Sequence, residues 1–368
     1  MTAGRIPFID LTPGEDDAAV RAAIDRVITR GWFVLGPEVE AFESEFASAS
    51  GAAHAVGVGT GTDAIALMLR AMNVDRGDEV IVPALTAAYT GLAVLLAGAT
   101  PVFADVDPDS LTLDPAACEA AITPRTVAMV PVHLYGQAAD MDALEAIAAR
   151  RALAVIEDCC QAHLATCRGV PVGTRGAGGA FSFYPTKNLG ALGDGGAILT
   201  SDAPLAERLR RLRNGGQIDR YVHLEAGGNS RLDDLQAAVL RARLPLLSRW
   251  TSRRRSLAAA YRRALPDAVL PLQERDSGHV YHLFVVRSPE RDALQAHLRA
   301  AAIETLIHYP VPLPGQPAFA GIARDECPVA ARAAQEILSL PIYPRLTDAD
   351  VERVCAAIGQ FQKGRILA

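Results

Sequence analysis

Gly179-Ala180-Phe181-Ser182-Phe183-Tyr184-Pro185-Thr186-Lys187-Asn188-Leu189-Gly190 is the stretch that decides how this chain is read. An apolar run delivers a serine, then an aromatic, then a lysine, and glycines recur up to Gly196. A lysine boxed in by apolar residues loses hydration. Its pKa falls, and the free amine becomes nucleophilic toward carbonyls. Arginine cannot do this, because its guanidinium stays protonated. The chain makes the choice conspicuous. Of its 36 basic residues only Lys187 and Lys363 are lysines, which leaves 34 arginines. Lys363 stands in a polar context near the C-terminus and fits an ordinary surface position.

Two further segments lie upstream. Glu157-Asp158-Cys159-Cys160-Gln161-Ala162-His163 follows the apolar run Leu153-Ala154-Val155-Ile156. Acids at the carboxyl end of a buried parallel strand sit where open α/β sheets bind ligands. An Asp there can hold a positive charge such as a protonated ring nitrogen. The plainer reading is a helix cap or an ion pair. Gly57-Val58-Gly59-Thr60-Gly61-Thr62-Asp63 lies between a β run and a helix. Its glycines let backbone approach a ligand, and the helix N-terminus attracts an anion. It reads as a phosphate cup or as an ordinary strand–helix turn. It is neither a Walker loop, since no lysine follows, nor a dinucleotide fingerprint, since the third glycine is missing. Anion cup, acid and amine together meet the needs of pyridoxal 5′-phosphate: its phosphate, ring nitrogen and aldehyde.

The rest of the chain supplies the frame. Its 368 residues are half hydrophobic and 21% charged, which excludes a disordered chain. A formal charge of −6 argues against a nucleic-acid partner. The N-terminus shows no apolar signal region. The longest apolar stretch, Leu92 to Ala104, is too short to span a bilayer, so no membrane partner is expected. Six cysteines form no C-x-x-C pair and no zinc spacing; no metal is expected, and free thiols fit a reducing cytoplasm.

Strand-like runs at His54–Val58, Glu79–Val82, Pro101–Phe103, Val127–Val130 and Leu153–Ile156 alternate with helices at Asp63–Met72 and Ala138–Arg151. Apolar runs of this kind, separated by helices, predict an α/β fold with a mainly parallel sheet covered on both faces. Beyond Asn229 the pattern changes. A long helix over 233–265 is interrupted near Pro245. A strand is expected over Val280–Arg287, and helices over Asp292–Ala301, Val329–Leu338 and Asp348–Phe361. We place a boundary at 245: a large domain over 1–245 and a small C-terminal α+β domain over 246–368.

At this point the sequence resembles the DegT/DnrJ/StrS-type sugar aminotransferases, which have the aspartate-aminotransferase fold (fold type I). The resemblance runs from Gly31-Trp32-Phe33-Val34-Leu35-Gly36-Pro37 through Gly59-Thr60-Gly61-Thr62-Asp63 and Val132-His133-Leu134-Tyr135-Gly136-Gln137. It includes the Asp158 and Lys187 segments, Gly228-Asn229-Ser230-Arg231 and His308-Tyr309-Pro310. It implies that Lys187 forms the imine with pyridoxal phosphate and shuttles protons. Asp158 would pair with the ring nitrogen and Gln161 approach the ring oxygen. Thr60, Gly61, Thr62 and Ser182 would hold the phosphate. Asn229 would reach the cofactor of a neighbouring subunit, which implies a homodimer with active sites at its interface. Trp32, Tyr89, Tyr184, Asn188, His308 and Tyr309 would border the substrate; packing is the alternative for Trp32, His308 and Tyr309.

The chain departs from the family pattern at three positions. Ala87 stands where an aromatic often covers the cofactor ring, with Tyr89 two residues on; Pro314 stands where His is frequent; Gly215 replaces a larger residue. The activity expected is transfer of an amino group from glutamate to a nucleotide-linked 3- or 4-keto-6-deoxyhexose. Amination of a keto-cyclitol is the nearest rival, and a non-catalytic regulatory protein with the same fold is a further one.

Overall fold

The structure, a computed structural model, describes residues 4–266, 269–322 and 326–366. Helices α1 (Asp17–Arg30) and α2 (Pro37–Ser50) come first. Pro37 opens α2 with its φ already helical, and Gly51 ends it in the left-handed region at φ 75°, which a side chain would strain. A sheet of seven strands follows: β1 (His54–Val58), β2 (Glu79–Pro83), β3 (Thr100–Ala104), β4 (Thr126–Met129), β5 (Ala154–Asp158), β6 (Gly178–Ser182) and β7 (Gly196–Thr200). Their order across the sheet is β1-β7-β6-β5-β4-β2-β3. All pairings are parallel except those of β7, which runs against both β6 and β1.

Both faces of the sheet are apolar because successive side chains point to opposite sides. Val80, Val82, Ile156, Ala180 and Ile198 enter one buried cluster, while Ile81, Val155, Phe181, Ala197 and Leu199 enter another. Helices α3 (Gly61–Ala71) and α4 (Ala88–Leu96) pack on the first of these. No helix among the described residues is long and apolar enough to cross a membrane.

Two registers position the site. In β5 and β6 Asp158 lies opposite Ala180, so β6 runs on to Ser182 at the end where Asp158 sits. Gly196 of β7 pairs with Ser182 on one side and with Val58 on the other. The turn after Val58 therefore lies next to Ser182, although the two are far apart in sequence.

Past the sheet, helix α5 (Asp234–Arg243) gives way at Leu244–Leu246 to a 3-10 turn containing Pro245, and α6 (Leu247–Ala264) continues. A three-stranded antiparallel sheet follows from β8 (Leu270–Pro271), β9 (Phe284–Arg287) and β10 (Ile337–Leu340). It packs with α7 (Arg291–Ala300) and α8 (Asp348–Ile366) around Tyr261, Phe284, Leu294, Leu298 and Val354. Ile6 belongs to this second core and bridges to Ile303, so the N-terminal strand of chain is shared with the C-terminal unit.

Several boundaries differ from the sequence reading. The expected strand over 280–287 begins only at Phe284. The backbone of 280–283 instead bonds to the segment at 135–136, with Val280 N donating to Gly136 O (2.9 Å) and Leu283 N to Tyr135 O (3.2 Å). The helix expected to reach Leu338 stops at Glu336, because Ile337 and Leu338 pair with β9. The helix expected from Ala138 starts at Met141, where Asp140 caps it on Ala143 N. Helices α1, α2 and α4 are not among the elements read from sequence; α4 is almost wholly apolar and shows no polar face, whereas α1 and α2 bury Val20, Ala23 and Val27 and Val39, Phe42 and Phe46 at helical spacing.

Candidate active site

The three segments converge at the carboxyl ends of β5 and β6. Thr60 caps α3, its Oγ1 accepting from Asp63 N at 3.0 Å. Gly61 opens the helix. A Cβ placed there would lie 2.5 Å from Cys160 Sγ and 2.8 Å from Ser182 Cβ. The cup is therefore closed around Gly61, and only backbone fits. Thr62 follows, half-buried. Ser230 completes this corner: its Oγ accepts from Gly59 N (2.9 Å) and donates to Asp63 (2.8 Å).

Asp158 is 4% exposed. One carboxylate oxygen accepts from Cys160 N at 3.1 Å, the other from Thr90 Oγ1 at 2.8 Å. Thr90 reaches it from the first turn of α4. Gln161 accepts from Tyr135 N (2.6 Å) and donates one amide N–H to Tyr309 Oη (3.0 Å). Tyr135 Oη in turn donates to the His308 carbonyl. Burial raises the Tyr309 pKa, the hydrogen bond with Gln161 opposes that, and the negative charge of Asp158 adds to it. Tyr309 thus belongs to the site.

Lys187 as a residue is only half-buried, but its amine lies in dense protein. That burial pulls its pKa below the ordinary value, against Cys160 and Asp158, which favour the charged form. The charge of Lys187 is felt by His163, His282 and His308. All three have lowered pKa values, first from burial, His163 to about 3 and His308 to about 4. Three neutral imidazoles and one carboxylate thus lie within electrostatic reach of the lysine. Such a site favours loss of the lysine's proton relative to an exposed amine.

The other expected substrate residues divide. Asn188 is buried, its Nδ2 donating to Val280 O at 3.0 Å. His308 Nδ1 meets Ser339 Oγ at 2.9 Å. Trp32, Tyr89 and Tyr184 are 51–65% exposed in the single chain, and Trp32 Nε1 donates to Val34 O (2.9 Å). Asn229 is also open to solvent, beside Ser230. These four do not close on the lysine within one chain.

Sequence reading passed over Thr90, Cys160 and Ser230. Cys160 and Ser230 lie within quoted segments and Thr90 next to Tyr89, but nothing in the spacing announces contacts across 68 or 171 residues. A second buried group, His133, Glu157 and Cys159, has metal-ligand chemistry. His133 Nδ1, however, accepts from Ala139 N at 3.1 Å, so Nε2 carries the proton and donates to Glu157 at 2.8 Å. Glu157 also accepts from Gly173 N and Arg175 N, both at 2.8 Å. The imidazole has no lone pair left for a metal, and the group anchors the end of β5 instead.

A buried lysine and a buried aspartate at the strand ends of a largely parallel sheet, beside a helix-capping glycine cup, define an aminotransferase of the large α/β class. The chain belongs to the DegT/DnrJ/EryC1/StrS aminotransferase family, whose pattern matches residues 15–359. It is 50% identical over 364 residues to a dTDP-3-amino-3,4,6-trideoxy-alpha-D-glucose transaminase of Streptomyces venezuelae, covering 97% of this chain and 96% of that protein. It is 46% identical over 360 residues to a dTDP-3-amino-3,6-dideoxy-alpha-D-galactopyranose transaminase of Aneurinibacillus thermoaerophilus, covering 97% and 99%. The crystal structure of DesV from S. venezuelae superposes with a TM-score of 0.95 at 48% identity, covering 98% of this chain and 99% of that one.

Proposed function

We propose that this chain is a pyridoxal-phosphate-dependent aminotransferase that moves an amino group from glutamate to a nucleotide-linked keto-6-deoxyhexose, in amino-sugar biosynthesis. The observation that carries the reading is the desolvated Lys187 amine at the same strand ends as buried Asp158 and the Gly61 cup. The two relatives named above both carry a 3-amino sugar in their names, which favours the 3-keto over the 4-keto acceptor.

The residues fit the cofactor. Thr60, Gly61, Thr62 and Ser182 offer hydroxyls and helix-end N–H groups to a phosphate, and the crowding at Gly61 explains why backbone must supply part of that cradle. Asp158, clamped from two sides, suits a protonated ring nitrogen. Gln161 keeps one amide N–H for the ring oxygen after bonding Tyr309. When bound, pyridoxal phosphate supplies the electron sink for the transfer. Lys187 accepts and returns a proton at Nζ, and the burial that lowers its pKa makes that proton easier to lose than from an exposed amine. The neutral His163 and His308 add no competing positive charge.

The reading includes a homodimer. Trp32, Tyr89, Tyr184 and Asn229 are site residues by resemblance yet exposed in one chain, and a second copy would cover them and complete the site. A cytoplasmic setting fits the six free cysteines. The test is direct. Purified protein should gain a visible absorbance band with pyridoxal phosphate, turn over dTDP-linked 3-keto-6-deoxyhexose with glutamate, and sediment as a dimer. A protein that stays colourless, or a Lys187→Ala variant that still turns over, defeats the proposal.

A further inference from the structure

Beside Lys187 a cavity of about 500 Å³ opens between the N-terminal stretch, the Lys187 loop and α6. Its wall carries five arginines. Four of them have acidic partners: Arg243 on Asp16 (2.8 Å), Arg253 on Asp348 (2.8 Å), Arg249 on Glu15 and Arg345 on Asp10. The fifth, Arg254, has no carboxylate among the described residues. It is 4% exposed. Its Nη1 donates to the carbonyls of Ile342 (2.9 Å), Tyr281 (3.1 Å) and His282 (3.4 Å), while its Nε is buried without a partner. Burial pulls its pKa down to about 10, which still leaves it charged at neutral pH.

A buried cation without an anion is costly, and three carbonyl dipoles compensate it only in part. The same wall holds a complementary orphan. Asn188 lines the cavity next to the lysine, and with Nδ2 committed to Val280 O its Oδ1 is buried with no donor. One point on this wall therefore lacks a carboxylate, and another lacks an N–H. A free amino acid carries both groups.

We propose that this cavity is the subsite for the amino-acid donor, with Arg254 taking a donor carboxylate and Asn188 Oδ1 an N–H of its amino group, next to Lys187. The inference rests on the aminotransferase reading above. The charge count favours a carboxylate over the diphosphate of a sugar nucleotide: one arginine is uncompensated, and the others are already neutralised by Asp10, Glu15, Asp16 and Asp348. The guanidinium edge left over by the carbonyls suits a planar carboxylate.

The test uses the holoenzyme and two ligands, glutamate and glutarate, the latter lacking the amino group. Arg254→Met should weaken both by about tenfold to a hundredfold, the range of a charge-assisted hydrogen bond, with KM for the sugar nucleotide unchanged. Asn188→Ala should weaken glutamate by about tenfold and leave glutarate binding, measured by calorimetry, as in wild type. Because Arg254 also supports three carbonyls, a thermal melt checks that its variant folds; if it does not, the Asn188 pair decides alone. Glutamate and glutarate weakened alike by Asn188→Ala, or neither weakened, overturns the proposal. So does an Arg254→Met protein in which the sugar nucleotide, not the dicarboxylates, loses affinity. A wild type without colour or transamination would defeat the parent reading instead.

Discussion

Removing the Thr90 hydroxyl tests whether Asp158 must be held from both sides. Thr90→Val keeps the shape and deletes one donor. Thr90 and Asp158 are 2% and 4% exposed, so no bulk water replaces the lost bond. The bond is 2.8 Å long and its acceptor is a carboxylate. Hydrogen bonds to charged groups contribute about 1.5–3 kcal/mol, and about 1.4 kcal/mol corresponds to tenfold in rate. Cys160 N still holds the other oxygen at 3.1 Å, so the carboxylate remains in place but free to rotate. We expect kcat to fall about tenfold to a hundredfold, with KM for both substrates nearly constant, because the bond orients a group that acts on the reacting system. Thr90→Ser restores the donor and should recover most of the rate. The assay is steady-state turnover of the holoenzyme, with a thermal melt as folding control. A Val variant within twofold of wild type and melting normally would falsify the idea that Thr90 orients Asp158.

Three further outcomes follow from burial. Lys187 has a lowered pKa in the fold, so the folded protein binds fewer protons than the unfolded chain between that pKa and 10.5. Stability therefore rises with pH across that window. Cofactor-free Lys187→Met should be more stable than cofactor-free wild type at neutral pH, and urea titrations should show the gap closing as pH approaches 10.5. His163 is fully buried with both ring nitrogens unpartnered and a pKa near 3 against an ordinary 6.5. Protonation contributes nothing above 6.5, but the unfolded chain gains protons below it, so native stability drops by about 2 kcal/mol by pH 5. His163→Leu should flatten that drop in melts at pH 7 and pH 5; an unchanged slope would assign the acid lability elsewhere. Gly61→Ala forces a methyl against Cys160 and Ser182. Overpacking of this kind costs about 1–3 kcal/mol, and we expect weaker pyridoxal phosphate binding in absorbance titrations, with a Gly61→Ala protein of wild-type affinity counting against the cup.

Much of the fold was legible in the sequence because its signal is local. Val80 to Val82, Val155 and Ile156 read as buried strands since every residue of a parallel central strand faces a core. Asp158 and Lys187 stood out for the same reason, each a charge at the end of an apolar run. What stayed hidden depends on register. Ser182 was assigned to the cup by resemblance alone; what brings it there is Gly196 pairing with both Ser182 and Val58, and an antiparallel β7 inside a parallel sheet has no mark in composition. Thr90 clamps Asp158 only because α4 crosses over the end of β5. The run from Val280 reads as strand by its apolar content, yet Gly136 and Tyr135 take the hydrogen bonds of its first half.

The scarcity of lysine gains a physical meaning from how the arginines are used. Glu38, 1% exposed, is gripped by Arg26, Arg30 and Arg241, and hydrogen bonds from Arg26 lead in drawing its pKa down to about 2. Arg213 reaches Glu43 and the Gly57 carbonyl together, and Arg243 reaches Asp16 and the Gly190 carbonyl. Each of these tasks needs several fixed donors and a charge that persists under burial, which a guanidinium provides. The two that touch Gly57 and Gly190 brace the strand ahead of the cup and the loop that carries Lys187. The amine, by contrast, has a lowered pKa and no ion pair among the described residues. Arginine at 187 would remain charged where burial opposes charge, and it could not pass a proton. Lysine at 213 or 243 would lose donors that hold two backbone segments at once. The chain thus separates two jobs that a generic cation would blur: guanidinium groups fix the frame, and a single buried amine is left able to change its charge.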